Sequence, residues 1–551
     1  MTEPTLNAEQ TNQWNKPPQG QARKPFLLRA MSRFWQSLWH GKPPNLLILL
    51  LSMLTALIMV IPILYVVVQG WGAGTERWIQ LWDSRIPGLL WNTLSLTAVV
   101  TAGTILIGVT FAFLVVRTDL PGRKWWRLIG ALPLVIPPYV GAMAYIIIFG
   151  PTGWVRDWFG SSPVQIYSFW GVVMVMTMFT YPYVYLITAA SLGRLNANLE
   201  EAALSCGQRY RQVFLKVVLP LLRPAVGAGA ILVSLYVLSD FGAISIMRYT
   251  TFTAAIYYQM GSFDRVSAAM LSVVLIAVTL IFLWMEWRTR KNIRYSQQGG
   301  TYRRPLTIPL GRWKPLALAF VFLVSLTGVF LPLAVLIYWS LLGLQNGAID
   351  ASFWEYTVNS LVVSGIAALL SVILAMPLVY LKARNPSLLT SLLEKVVYSS
   401  YALPGVIVSL GIVFVFNQYL PMFYGTIALL VTAYIMRFLP QATQAGEAAI
   451  SLVSPRLDEA AQSLGHSPWK SMLKITLPMV LPGVLAGAAL VFVSSMKELP
   501  ATLLLRPAGY DTLAVRIWIQ ASEGFYHLAA PAALLVILVS ILPLRWILNK
   551  Y

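Results

Sequence analysis

Two carboxylates interrupt otherwise apolar text. Asp240 lies in LSDFGAISIMRYTTFTAAIYYQM, which begins at Leu238, and Glu498 lies in MKELPATLLLRPAGYDTLAVRIW from Met496. Each follows a Leu-Pro pair by the same interval, 20 residues from Pro220 and from Pro478. Carboxylate and phenol oxygens are hard donors, so Asp240, Glu498, Tyr257 and Tyr258 have the chemistry to hold a hard cation in passing. The same acids could instead close structural ion pairs with Lys497, Arg248 or Arg506. The tyrosines, with Tyr249, could equally be aromatic anchors at a membrane face. Arg437 is a third isolated charge, and it must face the protein interior or stretch to the inner surface. Other chemistry lacks its residues. No Gly-x-x-x-x-Gly-Lys-Ser/Thr phosphate loop occurs, so ATP hydrolysis by this chain is not expected. His40, His466 and His527 are far apart and make no metal-ligand pattern. The single cysteine, Cys206, excludes a disulfide within the chain and reads as a small apolar filler. Nothing supports redox chemistry.

The elements that carry these residues are membrane helices. Of 551 residues, 58% are hydrophobic and 11% charged, against about 25% charged in a soluble domain. Twelve apolar runs are long enough to span, at about 20 residues each. They cover roughly 45–68, 92–116, 128–149, 167–191, 225–247, 266–285, 316–339, 359–381, 397–417, 425–446, 482–505 and 529–548. The net charge of +20 could suit nucleic acid, but the basic residues fall in short clusters between the runs. With both termini inside, 31 of the 40 Lys and Arg lie in cytoplasmic segments, which follows the positive-inside rule. The partner this charge implies is the lipid bilayer, not nucleic acid. Residues 1–44 are polar and basic, lack the apolar core of a secretion signal, and read as a cytoplasmic tail.

The runs repeat. Asn92-Thr-Leu matches Asn359-Ser-Leu, Arg117 matches Arg384 and Pro137 matches Pro404, all at an offset of 267. Further on, Pro182 faces Pro440, Glu201 faces Glu459 and Asp240 faces Glu498, all at 258. A longer outer loop near 150–166 in the first half accounts for the change of nine. The expected fold is an all-α polytopic membrane protein with two parallel six-helix repeats, because an even helix count returns each half to the same side. The expected organisation is a tail over 1–44, a first half over 45–290, a cytoplasmic linker over 291–315 and a second half over 316–551.

The most polar text of each half is also duplicated. EEAALSCGQRYRQVFLKVVLPLLRP starts at Glu200 and DEAAQSLGHSPWKSMLKITLPMVLP at Asp458. Shared positions are Glu201, Ala202, Ala203, Gly207 and Pro220 in the first, and Glu459, Ala460, Ala461, Gly465 and Pro478 in the second. Ala favours helix and allows close approach. The glycine can take a positive φ and break the helix. The proline is expected to end a second short helix before the next span. Such a helix–turn–helix could lie on lipid headgroups or dock onto another protein, and two matched copies on one side of the membrane favour docking.

This spacing resembles the EAA loop of bacterial ABC importer permeases, and two copies in one chain resemble a fused permease. The resemblance covers essentially everything after residue 45. It implies the type I importer permease fold and a location in the bacterial inner membrane. It also implies two ATP-binding subunits seated on the loops at the cytoplasmic face, which would hold the ATP and Mg, with no cofactor bound by this chain. The texts around Asp240 and Glu498 are similar to the ferric-iron branch, where Ser-Asp-Phe-Gly and Lys-Glu-Leu-Pro-Ala-Thr-Leu-Leu-Leu-Arg-Pro occur. That branch implies a periplasmic iron-binding protein as donor and places Asp240 and Glu498 as transient metal ligands on the path. Relatives for thiamine, phosphonate or polyamine share the same architecture. An ion-coupled secondary transporter also uses repeats but has no reason for two docking loops.

Overall fold

The computed structural model describes residues 44–290 and 307–550, in which all extended secondary structure is helical. The expected tail up to residue 43 and residues 291–306 of the expected linker lie outside the described part. Each of the twelve expected runs overlaps helix, but they do not cross alike. Among the described residues nine helices are long and apolar enough to span: Leu46–Trp71, Ile86–Arg117, Pro138–Phe159, Phe169–Arg194, Phe214–Ser239, Arg265–Met285, Gly311–Gln345, Ala351–Arg384 and Pro468–Met496. The run expected over 397–417 is two helices, Leu388–Ala402 and Gly405–Tyr419, bent by 109° at Leu403-Pro404 and counting at most as a tenth span. Ile427–Ile450 is one helix, yet Arg437, Gln441, Gln444 and Glu447 make it too polar to pass the same test. The last run is described as an apolar helix only over Tyr526–Ile541. Side-chain caps set several starts: Asn45, Ser168, Asp350 and Thr426 each accept from a backbone N–H of the first turn.

Pro220 and Pro478 do not end a helix, contrary to expectation. Each follows a π turn inside a continuous helix, Phe214–Val218 in the first half and Met472–Thr476 in the second. In both, the leucine before the proline donates five residues back, Leu219 N–H to the Phe214 carbonyl and Leu477 N–H to the Met472 carbonyl. A proline inside a helix lacks the N–H and crowds the carbonyl four residues earlier. The widened turn takes up that misfit without breaking the axis. The same device recurs at Leu326–Phe330, where Leu331 N–H reaches the Leu326 carbonyl just before Pro332. Two spans therefore begin about ten residues earlier than the hydropathy implies. They also stop earlier, at Ser239 and Met496, so both carboxylates lie beyond helix ends and outside the spans.

The first helix of each half packs on the other half. In the first span, the Met59 carbonyl accepts from Ser400 Oγ at 3.4 Å, and Tyr65 meets the rings of Phe414 and Tyr419 edge-on. In Gly311–Gln345, the Thr327 carbonyl accepts from Tyr145 Oη at 3.1 Å, Val321 and Val324 join the core around Phe111, Tyr181 and Tyr185, and Tyr338 meets Trp154. The exchange ties the halves into one body. Gly411 marks its closest approach, because a Cβ there would run into the Pro62 carbonyl. Gly411→Leu is therefore expected to destabilise by more than the about 1–3 kcal/mol usual for overpacking. Thermal unfolding in detergent measures this, with Gly365→Leu, where a Cβ meets nothing within 4 Å, as the neutral control.

Candidate functional site

The repeated polar loops fold as the spacing requires. Ala197–Ser205 is a helix capped by Asn196, and Pro455–Ser463 is its counterpart with Pro at its first position. Gly207 and Gly465 then take φ of +79° and +87°. Both glycines close the same motif: Gly207 N–H bonds the Leu204 carbonyl and Gln208 N–H the Ala203 carbonyl, while Gly465 N–H and His466 N–H bond Gln462 and Ala461 in the same way. Ala202, Cys206, Glu459, Ala460 and Leu464 are exposed, Glu201 and Ala203 are half-buried, and Ala461 is buried. The two loops thus present different surfaces, with Leu464 83% exposed in the second.

What holds each loop is the acid one residue before the shared glutamate, which the sequence reading passed over. Glu200 and Asp458 are 6% and 3% exposed. Glu200 pairs with Arg117, itself 1% exposed, and Asp458 pairs with Arg384 at 2.7 Å. Asp458 also accepts from Ser471 Oγ at 3.0 Å and Thr476 Oγ1 at 2.6 Å, while Arg384 reaches the Val453 carbonyl at 3.2 Å. The loop helix, the following helix and the end of Ala351–Arg384 thereby share one buried carboxylate. The signal was present in the sequence: both arginines match at 267 and both acids at 258.

The two isolated carboxylates sit at equivalent breaks. Beyond Ser239, Asp240 Oδ1 accepts Ile244 N–H at 3.2 Å and caps the short helix Gly242–Ile246. Beyond Met496, Glu498 Oε1 accepts Ala501 N–H at 3.1 Å and caps Pro500–Leu505. A repeated clamp fixes the loops that follow. Asn92 and Asn359 donate to the carbonyls of Thr250 and Asp511, each at 3.1 Å, and the next residues, Thr93 and Ser360, accept Phe252 N–H and Leu513 N–H. This explains why Asn-Thr-Leu and Asn-Ser-Leu recur. The halves meet here: Lys497 Nζ donates to the Leu134 carbonyl at 3.2 Å, and Trp518 Nε1 to Ser245 Oγ at 2.9 Å.

The carboxylates are not electrically equivalent. Arg437 Nε lies 3.4 Å from Glu498 Oε2, so Arg437 is paired inside the protein, and Lys497 is not the partner of Glu498. Asp240 makes no ion pair among the described residues, and the residue matching Arg437 in its half is Phe179. One helical turn away, Tyr183 and Tyr236 pack with ring centroids 5.7 Å apart, where the second half has Gln441 accepting from Ser494 at 3.0 Å. Tyr236 lies within electrostatic range of Asp240, Tyr183, Tyr139 and Arg437, and Tyr139 of Glu498. The Tyr139 hydroxyl and Arg437 Nη1 are buried without a hydrogen-bond partner among the described residues. Tyr257 packs at a tilt on Phe241, the residue after Asp240, with ring centroids 4.5 Å apart, and lies edge-on to Trp518, whereas Tyr258 is 48% exposed next to it. No group of three His, Cys, Asp or Glu able to hold a metal occurs among the described residues.

The family model for binding-protein-dependent transport system inner membrane components matches this chain twice, over residues 104–293 and 367–549. The chain belongs to that family. Two matches to one model establish the halves of this permease as repeats of a single unit, each carrying one polar loop and one carboxylate break. Among its relatives, the Fe(3+)-transport system permease protein FbpB 2 of Haemophilus influenzae is 35% identical over 93% of this chain and 99% of its own length. The ferric transport system permease protein FbpB of Actinobacillus pleuropneumoniae is 25% identical over 81% of this chain and 69% of its own length. The sulfate transport system permease protein CysW of Escherichia coli K12 is 26% identical but covers 45% of this chain, about one half of the repeat.

The buried pairs under the loops yield a direct test in this permease. Arg384→Met leaves Asp458 buried without its counter-charge. Breaking one side of a buried pair costs about 3–5 kcal/mol, so this variant should unfold at markedly lower temperature than the wild type. The double variant Arg384→Met/Asp458→Leu should recover part of the loss, as thermal unfolding of the purified permease will show.

Proposed function

We propose that this chain is the membrane subunit of an ATP-driven importer that moves ferric iron from a periplasmic binding protein to the cytoplasm. The observation that carries the cargo is the 35% identity to FbpB 2 across 93% of this chain and 99% of that one. The sulfate relative, by contrast, matches less than half of the chain. Permease halves over 45–290 and 316–551, with a linker between them, fit the two family matches. Both termini and both polar loops face the cytoplasm in this reading, which the distribution of basic residues supports.

Two ATP-binding subunits dock on the loops, one on Ala197–Ser205 and one on Pro455–Ser463, and supply the ATP and Mg that this chain does not bind. The positive φ of Gly207 and Gly465 sets the angle between the loop helix and the span. A β-branched residue at such an angle costs about 1–3 kcal/mol of local strain. Gly207→Val and Gly465→Val are expected to insert in the membrane yet lose co-purification of the ATPase or its stimulation by loaded binding protein. Wild-type ATPase binding and uptake in both variants would overturn the docking assignment.

Ferric iron passes between the halves at the level of Asp240 and Glu498. It is a hard cation, and Asp240, with the hydroxyls of Tyr236 and Tyr139, supplies oxygen donors there. Tyr257, packed on Phe241, and the exposed Tyr258 would add phenol oxygens to this route. Glu498 contributes differently, because Arg437 already neutralises it. Asp240→Asn should therefore fold, assemble and hydrolyse ATP while losing iron uptake by about tenfold or more, the scale of one lost ionic contact of 1.5–3 kcal/mol. Glu498→Gln should mainly lower the thermal stability of the complex by stranding Arg437. Uptake in proteoliposomes holding the ATPase, with iron, thiamine, phosphonate or polyamine on the neighbouring binding protein, tests both. Normal iron uptake by Asp240→Asn removes it from the path, and transport of another cargo in place of iron overturns the reading.

A further inference from the structure

The cytoplasmic end of the first half is tied to the start of the second by a short extended segment. Thr118 and Ile308 form a parallel β-bridge, with Ile308 N–H donating to the Arg117 carbonyl at 2.8 Å and Asp119 N–H to the Ile308 carbonyl at 3.3 Å. The Asp119 carboxylate closes the tie. Oδ1 accepts Leu310 N–H at 2.8 Å and Oδ2 lies 2.7 Å from Lys314 Nζ. The Lys314 ammonium, then the Leu310 N–H, hold this carboxyl below the usual aspartate range. The sequence prepares the geometry. Ile308 precedes Pro309, which biases it to extended backbone. Asp119 meets the N-terminal end of the span Gly311–Gln345, where the helix dipole favours an anion.

The place of this tie gives it consequence. Arg117, whose carbonyl it holds, is the arginine whose guanidinium anchors Glu200 in the first polar loop. Gly311–Gln345 is the span that the second half lends to the first. Loop, tie and exchanged span are therefore in series. The second half is built differently at the matching positions. Asn385 and Pro386 stand where Thr118 and Asp119 do, and Pro386 has neither the N–H nor the carboxylate that Asp119 uses.

We propose that residues 307–314 are a positioning strap that couples movement of the first loop to the exchanged span of the second half. This rests on the reading that the first loop receives an ATP-binding subunit. The strap gives the two loops unequal mechanical connections, so the two ATPase sites act on the permease through different linkages.

The test uses the whole complex in proteoliposomes with its ATPase and iron-loaded binding protein, reading iron taken up per ATP hydrolysed. Asp119→Ala removes the carboxylate, and Ile308→Pro removes the N–H that holds Arg117. Both should lower the ratio about fivefold or more, the low end of ordinary coupling between sites, in complexes that remain assembled. Lys314→Met changes an exposed side chain and keeps the measurement possible if the first two do not assemble, and it must shift the ratio in the same direction. An unchanged ratio, including less complex at an unchanged ratio, makes the strap a folding element only and overturns the proposal. Failure of the ATPase subunits to co-purify with the unaltered chain overturns the reading beneath it, and the strap with it.

Discussion

A charge drawn out of water must find an opposite charge or a dense set of dipoles, and this permease is arranged around meeting that demand four times. At the ends of the spans next to the polar loops, Arg117 meets Glu200 and Arg384 meets Asp458. At the breaks after Ser239 and Met496, Glu498 has Arg437 and a backbone N–H, while Asp240 has backbone N–H groups and no ion pair among the described residues. Removing one partner of a buried pair costs more than forming the pair gains, so these contacts fix geometry more than they add stability. The loop helices are held against the spans beside them because their acids are tied to arginines at the ends of those spans. Ala202, Glu459, Ala460 and Leu464 are thereby left outward.

The repeat is kept where it builds and relaxed around the two isolated carboxylates. The Asn-hydroxyl clamps, the arginine anchors, the glycine turns and the π turns before proline all occur in both halves. Facing residues between the breaks do not correspond: Phe179 against Arg437, Tyr183 against Gln441, Tyr236 against Ser494. A single chain permits this, because each half can take its own substitutions. A symmetric pair of subunits would place Arg437 twice and leave no carboxylate unpaired. Fusion thus allows one carboxylate to be paired with an arginine while its counterpart has no ion pair among the described residues.

The architecture was legible in the sequence because it rests on local rules. Twenty-residue apolar runs, basic loops and a glycine six residues after each shared glutamate each have one physical meaning. The offsets of 267 and 258 also located the clamps and the anchors before their partners were known. What stayed hidden depended on contacts across the fold. Glu200 and Asp458 were overlooked because the shared Glu-Ala-Ala drew attention to the glutamate one residue later. Lys497 was the nearest basic residue to Glu498 in sequence, but a helix end turned it toward Leu134 and left Arg437, 61 residues away, as the partner. Hydropathy also misplaced the spans that follow the loops, because it cannot see that proline after a π turn continues a helix.

That continuity bears on how a loop could act at a distance. The helix that leaves the first loop continues residue by residue from Tyr210 to Ser239, and Asp240 follows its end. At 1.5 Å per residue this is a rod of about 45 Å, with the loop at one end and the carboxylate at the other. Had Pro220 ended a helix, as its type suggests, a displaced loop would bend the chain at that joint and the carboxylate would not move with it. The π turn keeps the joint closed, and the same construction carries the second loop to Glu498. A shift of either loop would then reach its carboxylate along one continuous helix, which would serve as the lever. The Gly207 and Gly465 turns are the points where each lever is fastened to its loop.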